Sequence, residues 1–500
     1  MIKARKGHTM PGFFRTTITL AVSGLIGLAG CVEADTPDSG TKISAAEAVE
    51  DLDRLYEGLQ SADAGLFAET PKRVFDQAYS ELRSSYDGPV SPGELYEDLQ
   101  RFAALARHGH TRIDMRHPDW QAFREANGKV FPLTFQIENG EVRIATAPEG
   151  SGVRRGDTVR AFEGESNPIW LARLTRNISA ETPSLAYAQL SGAEPYYVWM
   201  EYGARDAFDV EIERAGEARK VRVDAVAFDT WLNEGAEEAQ GFSLAGREAR
   251  MISDTVGYLR PGPFFNINAE TPEEAYDPDA LQTYLEFVDA AFEDFIEAGV
   301  SDLILDLRDN PGGDSSFSDP VVAWFADEPF RFASDFRVKV SPETTASNQA
   351  RIDALGADAS GMSVTFAELF AAAEPGEFVS VDIPYAEPRS GERFEGEVHV
   401  LVNRLSFSNA VSTAALIQDY GFGTIYGEPT RDMATTYGAM EHFTLPNSGF
   451  RVGYPKAHII RPNGEERSHP VTPDVLLPVP ASRGAEDGVL EELVARISAD

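Results

Sequence analysis

Two short apolar-rich segments constrain the fold of this 500-residue chain more than any other feature. They occupy residues 302–309 (DLILDLRD) and 398–403 (VHVLVN), and runs of this kind are typical of strands buried on both faces. Each leads through a turn into a helical stretch, which indicates parallel strands with helices packed on them. Residues 236–500 are therefore predicted to form an α/β domain, with residues 331–392 as a less regular insertion.

The turns after these two strands hold the first candidates for chemistry. Gly312 and Gly313 follow the first strand, and adjacent glycines let the backbone turn tightly and present N–H groups to a ligand. Ser406 and Ser408 follow the second, where the start of a helix stabilises a developing negative charge. Taken alone, the glycines also fit an ordinary strand-to-helix turn, and either serine also fits a helix N-cap.

The histidines limit which base could activate such a serine, because imidazole is the usual base near neutral pH. The chain has eight histidines, of which His8 lies in the N-terminal leader. Three belong to predicted strands or hairpins: His399, His442 and His458. The histidines in loop-like positions are His108, His110, His117 and His469. A loop histidine is ordinarily a solvated side chain, so position alone selects none of them.

The N-terminus has the features of an export signal. Residues 1–15 carry four basic residues and no acidic one, and an apolar run follows from Thr16 to Gly30. The run is too short to span a membrane comfortably, and small residues precede Cys31. Cys31 is the only cysteine, so the chain can form no internal disulfide.

Residues 28–31 (LAGC) resemble the bacterial lipobox, in which the cysteine is acylated and becomes the first residue of the mature protein. The resemblance implies a lipoprotein signal peptide over residues 1–30, lipidation at Cys31 and a polar tether over residues 31–45. Val32 stands where an aspartate would signal inner-membrane retention, so an outer-membrane anchor facing the periplasm is expected. The alternative is an ordinary signal peptide that is cut elsewhere.

Two further domains are predicted between the tether and the α/β domain. Residues 46–115 repeat leucines at helical spacings and contain a helix start at Ser91, which predicts a helical bundle. Residues 116–235 contain short β-type runs, and residues 152–159 (GVRRGDTV) resemble the Gly-Asp turn of PDZ domains. A PDZ domain captures an extended peptide as an added strand. Any small β domain with such a turn is the alternative.

Charge and metal-binding patterns exclude several classes of function. The net charge of −37 at pH 7 repels a phosphate backbone, so nucleic acid is not expected as a partner. The sequence contains neither an HExxH motif nor a cluster of histidines and cysteines. Neither a metal nor any other cofactor is therefore predicted.

Several short segments combine into one pattern between about residue 46 and residue 480. They are residues 109–111 (GHT), 304–313 (ILDLRDNPGG), 406–410 (SFSNA), 418–421 (QDYG), 427–430 (GEPT) and 471–474 (VTPD). In this order and spacing they resemble the C-terminal-processing serine peptidases, also called tail-specific or tricorn-core peptidases. The resemblance implies a multidomain α/β (α+β) protein: an N-terminal helical bundle, a PDZ-like β domain and a core related to the ClpP-crotonase fold.

The same resemblance implies roles for individual residues. The nucleophile falls on Ser408, and Asn409 stands where the family usually has a small residue. One branch of the family uses a lysine at the position of Met433, and methionine cannot accept a proton. The other branch uses a histidine, which falls on His110. Asp419 matches an acid of the lysine branch and is interpreted as structural.

The remaining parts of the implied site lie in two other segments. The glutamate of the histidine branch falls on Glu466, with Glu465 as the alternative because the alignment slips by one residue. Backbone N–H groups of Gly312 or Gly313 and of Asn409 would form the oxyanion hole.

The sequence therefore predicts a serine-type peptidase that hydrolyses peptide bonds of envelope proteins or peptides through an acyl-enzyme on Ser408. The alternative is a non-catalytic relative that binds a hydrophobic ligand or a peptide in the envelope. The predicted partners are a polypeptide substrate and the membrane that holds the lipid anchor, and the oligomeric state stays open.

Overall fold

The computed structural model describes residues 42–114, 117–234, 246–269, 273–355, 361–477 and 487–499. The predicted signal peptide, Cys31 and nearly all of the tether lie outside the described residues. No helix among the described residues is both long enough and apolar enough to cross a membrane.

The first region consists of three helices. They are α1 (Ala45–Ala62), α2 (Lys72–Ser85) and α3 (Pro92–Ala104). Ser44 and Ser91 cap α1 and α3, and in each case the carboxylate of a glutamate three residues later accepts a hydrogen bond from the backbone N–H of the cap. Leu52, Leu55 and Leu59 lie on one face of α1 and are buried, as their helical spacing predicts.

The second region combines an antiparallel sheet with short helices. Its elements are β1 (Arg112–Ile113), α4 (Pro118–Glu125), β2 (Lys129–Val130), β3 (Thr134–Glu138), β4 (Glu141–Thr146), β5 (Thr158–Phe162), β6 (Glu165–Ser166), α5 (Asn167–Thr175), α6 (Pro183–Leu190), α7 (Glu194–Tyr202), β7 (Ala207–Arg214), β8 (Glu217–Asp224), β9 (Val226–Ala227) and α8 (Phe228–Glu234). The sheet runs β3-β4-β5-β7-β8, with β6 paired to β5. Helix α5 packs on it through Trp170, which contacts the rings of Phe135 and Phe162.

The third region contains the predicted strands of the α/β domain. Its elements are β10 (Glu248–Met251), β11 (Val256–Arg260), a 3-10 turn (Glu273–Tyr276), α9 (Pro278–Ala298), β12 (Asp302–Asp306), α10 (Ser315–Ala323), β13 (Asp335–Lys339), α11 (Pro342–Leu355), α12 (Met362–Ala371), β14 (Phe378–Ser380), β15 (Glu397–Val402), α13 (Asn409–Tyr420), β16 (Thr424–Gly427), β17 (Thr436–Thr444), β18 (Arg451–Ile460), β19 (Val475–Leu476) and α14 (Gly488–Ile497).

The central sheet of this region has the order β10-β11-β12-β15-β16-β19 and is parallel from β11 onward. Both faces of β12 are buried. Leu303 and Leu305 pack with α9, α10 and α13, whereas Ile304 packs with α14. The uninterrupted apolar run in the sequence follows from this double burial. Because β12 and β15 are adjacent and parallel, the turns that follow them meet at one edge of the sheet.

A second sheet corrects the expectation of a less regular insertion at residues 331–392. Strands β13 and β14 in this segment belong to a sheet of order β1-β18-β13-β14, with β17 paired to β18. Helices α11 and α12 lie between those strands. The regularity was missed because β13 lies between β14, which follows two intervening helices, and β18, which is more than a hundred residues away.

Strand β1 connects the N-terminal half of the chain to this second sheet. Arg112 and Ile113 pair with Gly453 and Val452 of β18. The segment just before β1, residues 107–111, is called the histidine loop below. Its position is set by a strand that joins a sheet of the third region.

Candidate active site

The loop after β12 is shaped by two glycines. Gly312 and Gly313 have φ angles of +90° and +136°, which residues with side chains rarely adopt. A Cβ on Gly312 would lie 2.7 Å from the backbone nitrogen of Asn409, and one on Gly313 would lie 2.1 Å from the carbonyl oxygen of Phe264. The loop can therefore approach the start of α13 only because Gly312 lacks a side chain, and it can approach the backbone of Phe264 only because Gly313 does.

The loop after β15, residues 403–409, is called the nucleophile loop. The side-chain amide of Asn403 donates to Asp309 Oδ1 at 2.8 Å, and its Oδ1 accepts the Asp309 N–H at 3.0 Å. These bonds fasten the nucleophile loop to the loop after β12. The two loops therefore form one rigid edge.

The two serines of this loop have different environments. The hydroxyl of Ser406 donates to the Leu307 carbonyl at 2.8 Å and accepts the Asn403 N–H at 3.1 Å, and the residue is fully buried. Ser406 is thus a structural link between the loops. Ser408 is half-buried and precedes α13 with φ +51° and ψ −122°. Such a conformation is strained for a residue with a Cβ and is common at functional sites.

His110 lies against Ser408. Its Nε2 is 3.3 Å from Ser408 Oγ, although 298 residues separate the two in the chain. The imidazole is 2% exposed and stacks on the ring of Phe407, with 5.2 Å between ring centres. Burial, together with the positive charges of Arg112 and His108, lowers the pKa of His110 to about 3. The ring is therefore neutral at physiological pH and can accept the serine proton.

The two glutamates expected to assist His110 lie elsewhere. Glu466 is exposed and accepts a hydrogen bond at 2.8 Å from Arg337 of β13. Glu465 pairs with His469 at 2.8 Å. His110 Nδ1 is buried without a hydrogen-bond partner among the described residues. In this structure Glu466 therefore does not bond to His110, because an arginine of the second sheet holds its carboxylate at the surface.

Backbone N–H groups near Ser408 define where an oxyanion could bind. The N–H of Gly312 already donates to Asn310 Oδ1 at 2.9 Å, and that of Ser408 donates to Asp432 Oδ2 at 2.6 Å. Among the described residues, the N–H groups of Gly313 and Asn409 donate to no backbone or side-chain acceptor. Of the three residues expected at the oxyanion hole, these two fit best.

The side chain of Asn409 also has a place in this arrangement. Its Nδ2 donates to the hydroxyl of Ser318 on α10 at 2.9 Å. The departure from a small residue at this position therefore ties α13 to α10. Asp419, at the other end of α13, pairs with Arg461 at 2.7 Å and is buried, which fits its structural interpretation.

Two acidic residues near Ser408 were not anticipated. Asp432 is fully buried, and burial together with the charge of Glu181 raises its pKa. Burial also raises the pKa of Glu181. Neither residue belongs to a recognisable motif, so their proximity appears only in the folded chain. The described residues contain no group of three or more histidine, cysteine, aspartate or glutamate side chains arranged to hold a metal ion.

The sequence model of peptidase family S41 matches residues 274–477, the segment that contains both loops after β12 and β15. The chain carries a domain of peptidase family S41. This finding confirms the resemblance to tail-specific peptidases and makes the protein a serine peptidase by family. Among curated proteins, no sequence matches the chain.

Solved structures with the same fold extend the likeness beyond this domain. Mature CPAF complexed with lactacystin is 15% identical, with a TM-score of 0.59 over 87% of this chain and 94% of that chain. Mature CPAF alone is 16% identical, with a TM-score of 0.58 over 87% and 93%. At this identity the likeness establishes the multidomain α/β fold.

Proposed function

We propose that the protein cleaves peptide bonds with Ser408 as nucleophile and His110 as base. The observation that supports this most is the 3.3 Å contact between Ser408 Oγ and His110 Nε2 at the edge where the turns after β12 and β15 meet. A strained serine beside a neutral, buried imidazole is the arrangement that acyl transfer requires.

In the proposed first step, His110 Nε2 takes the Ser408 proton as Oγ attacks the carbonyl carbon of the substrate. The oxygen of that carbonyl becomes an oxyanion, held by the N–H groups of Gly313 and Asn409. Protonated His110 then gives its proton to the leaving amine, and the C–N bond breaks. Water repeats the sequence on the acyl-enzyme and restores Ser408.

No described carboxylate bonds to His110 Nδ1, so packing orients the ring in this proposal. Phe407 stacks on one face, and the backbone of Tyr437 on β17 raises the pKa of the imidazole against the effect of burial. Tyr437 would thus stabilise the imidazolium that forms during each proton transfer.

The substrate class is proposed from the sequence at the N-terminus. An export signal and lipidation at Cys31 would anchor the enzyme to the outer membrane facing the periplasm, where its substrates would be envelope proteins or peptides. A Cys31→Ala variant should then be released into the soluble periplasmic fraction and lose incorporation of labelled fatty acid. Retention of the variant in the membrane would exclude the lipid anchor.

A fluorophosphonate probe tests the nucleophile on a protein that starts after Cys31. We expect modification at Ser408, mapped by peptide mass spectrometry, and loss of modification in Ser408→Ala and His110→Ala. Ser316→Ala removes an exposed hydroxyl in the first turn of α10 and serves as the matched control. Modification of Ser406 would move the nucleophile by two residues. A folded protein that stays unlabelled would instead indicate a non-catalytic binding protein.

A further inference from the structure

The backbone of Ser408 is held by a buried acid that the mechanism above does not use. The Ser408 N–H donates to Asp432 Oδ2 at 2.6 Å, across 24 residues of chain. Asp432 is fully buried in the segment between β16 and β17. This bond opposes relaxation of the positive φ angle of Ser408, since it fixes the amide on one side of the strained residue.

The carboxyl group of Asp432 has a second negative group as its neighbour. Its Oδ1 is buried without a hydrogen-bond partner among the described residues, and the same is true of Glu181 Oε2. Glu181 is the charged side chain that acts on Asp432. Two ionised carboxylates are strongly disfavoured in such a place, so the pair retains a proton that titrates as a property of both groups.

The surroundings of Glu181 determine where that proton resides. Burial raises the pKa of Glu181, but the positive charge of His108 opposes the rise. His108 is buried 3.3 Å from Asp63, and Glu69 adds a further negative charge that acts on both His108 and Glu181. Asp432, by contrast, has only backbone N–H groups to favour its ionised form. These surroundings favour the ionised form of Glu181 over that of Asp432.

We propose that Asp432, as a neutral acid, is a positioning residue that holds the Ser408 backbone for attack, and that Glu181 keeps Asp432 protonated. The inference rests on the proposed role of Ser408 as nucleophile. A neutral carboxyl group still accepts the Ser408 N–H through its carbonyl oxygen. It also places no negative charge beside the nucleophile while the substrate develops an oxyanion. Loss of the proton at alkaline pH introduces that charge and opposes acylation.

The pH dependence of fluorophosphonate labelling tests both parts of the proposal. We expect the wild-type rate to fall on the alkaline side. Asp432→Asn mimics the neutral acid, so it should keep the neutral-pH rate within about threefold and lose the alkaline fall. Asp432→Ala removes the acceptor, and labelling should slow by about 10- to 100-fold at every pH because the nucleophile is misplaced.

A second test removes the charge of Glu181 and leaves Asp432 unchanged. Glu181→Gln removes the negative charge that raises the pKa of Asp432, so the alkaline fall should move to lower pH. Glu248→Gln removes an exposed carboxylate of β10 and is the matched control, in which the profile should stay in place. An Asp432→Asn protein as slow as Asp432→Ala, or an alkaline fall that Glu181→Gln leaves in place, would overturn the proposal.

Thermal unfolding tests the protonated acid without any activity. The pKa of Asp432 is raised above that of an unfolded carboxyl group, about 3.9. Its stabilising contribution is therefore complete below that pH and is lost as the pH rises through the folded pKa. In a Ser408→Ala background, the Tm should fall with rising pH more steeply with Asp432 than with Asp432→Asn. Equal slopes would refute the neutral acid. Unequal slopes, combined with a protein that retains Ser408 and is never labelled by the probe, would refute only the proposed function.

Discussion

The nucleophile loop and the histidine loop supply the two reacting side chains, but they are held in different ways. The nucleophile loop is fastened within the S41 domain: Asn403 and Ser406 bond to the loop after β12, and Ser408 bonds to Asp432. The histidine loop has contacts in all three regions. His108 exchanges hydrogen bonds with Ser179 and pairs with Asp63, while His110 stacks on Phe407.

The nucleophile and the base therefore depend on different parts of the fold. The nucleophile and its strained backbone need only the parallel sheet and the loops at its edge. The base needs the helical region, the antiparallel sheet region and the second sheet to assemble around it. Changes in the histidine loop should therefore affect proton transfer, whereas changes in the nucleophile loop should affect folding of the S41 domain as well.

Removing the base should have the largest effect. In His110→Ala, we expect acylation of Ser408 to slow by about 10²–10⁴-fold, the usual contribution of general base catalysis. His469→Ala removes a half-exposed imidazole that pairs with Glu465 and should stay close to wild type. Rates of fluorophosphonate labelling measure both. If both variants slowed equally, His110 would have no special part in proton transfer.

The acid side of the pH profile should reveal the buried environment of the histidine loop. Because the pKa of His110 is lowered to about 3, the ring stays neutral as the pH falls to about 5. An imidazole with the ordinary pKa of about 6.5 would lose about 30-fold of its neutral form at that pH. We therefore expect little loss of labelling rate between neutral pH and about pH 5. A decline centred near pH 6.5 would show that water reaches His110 in the free enzyme.

Removing the structural serine should damage stability rather than chemistry. Ser406→Ala leaves the Leu307 carbonyl and the Asn403 N–H without their buried partner, at a cost of about 1–3 kcal/mol of unfolding free energy. Denaturant unfolding gives this value. Ser316→Ala on α10 should change it far less. A stable Ser406→Ala protein with no labelling would indicate that Ser406 takes part in the reaction.

The smallest effect is expected for Glu466. Its carboxylate is exposed and bonds to Arg337, so Glu466→Gln should leave the labelling rate within about twofold. The same substitution at Glu465 would lower the pKa of His469, which that carboxylate raises, and should leave labelling equally intact. A large loss in Glu466→Gln would mean that the segment moves to His110 when substrate binds.

The sequence predicted those parts of the molecule whose local pattern agrees with the final fold. Strands β12 and β15 and the start of α13 were readable because burial on both faces produces uninterrupted apolar runs. Ser408 and His110 were readable through the family resemblance, and the structure places them together. Their catalytic roles stay predictions for the labelling experiments.

The features that escaped prediction depend on partners far away in the chain. Helix α7 has weak helical periodicity because it is enclosed on several sides, as the burial of Pro195, Tyr197 and Val198 shows. Strand β13 looked irregular because one of its two partners, β18, lies more than a hundred residues away. Asp432 looked like an ordinary loop aspartate, because nothing in its neighbouring residues reports that Glu181 and the Ser408 amide surround it.

The pairing of β1 with β18 also determines when the two halves of the site can assemble during synthesis. Ribosomes make the histidine loop first and β18 more than 300 residues later, so the strand that positions His110 has no partner during most of synthesis. A partly made chain can already contain Ser408 and α13, yet it lacks the strand that brings the base to them. The pairing thus delays assembly of the complete site until β18 has been made, near the end of translation.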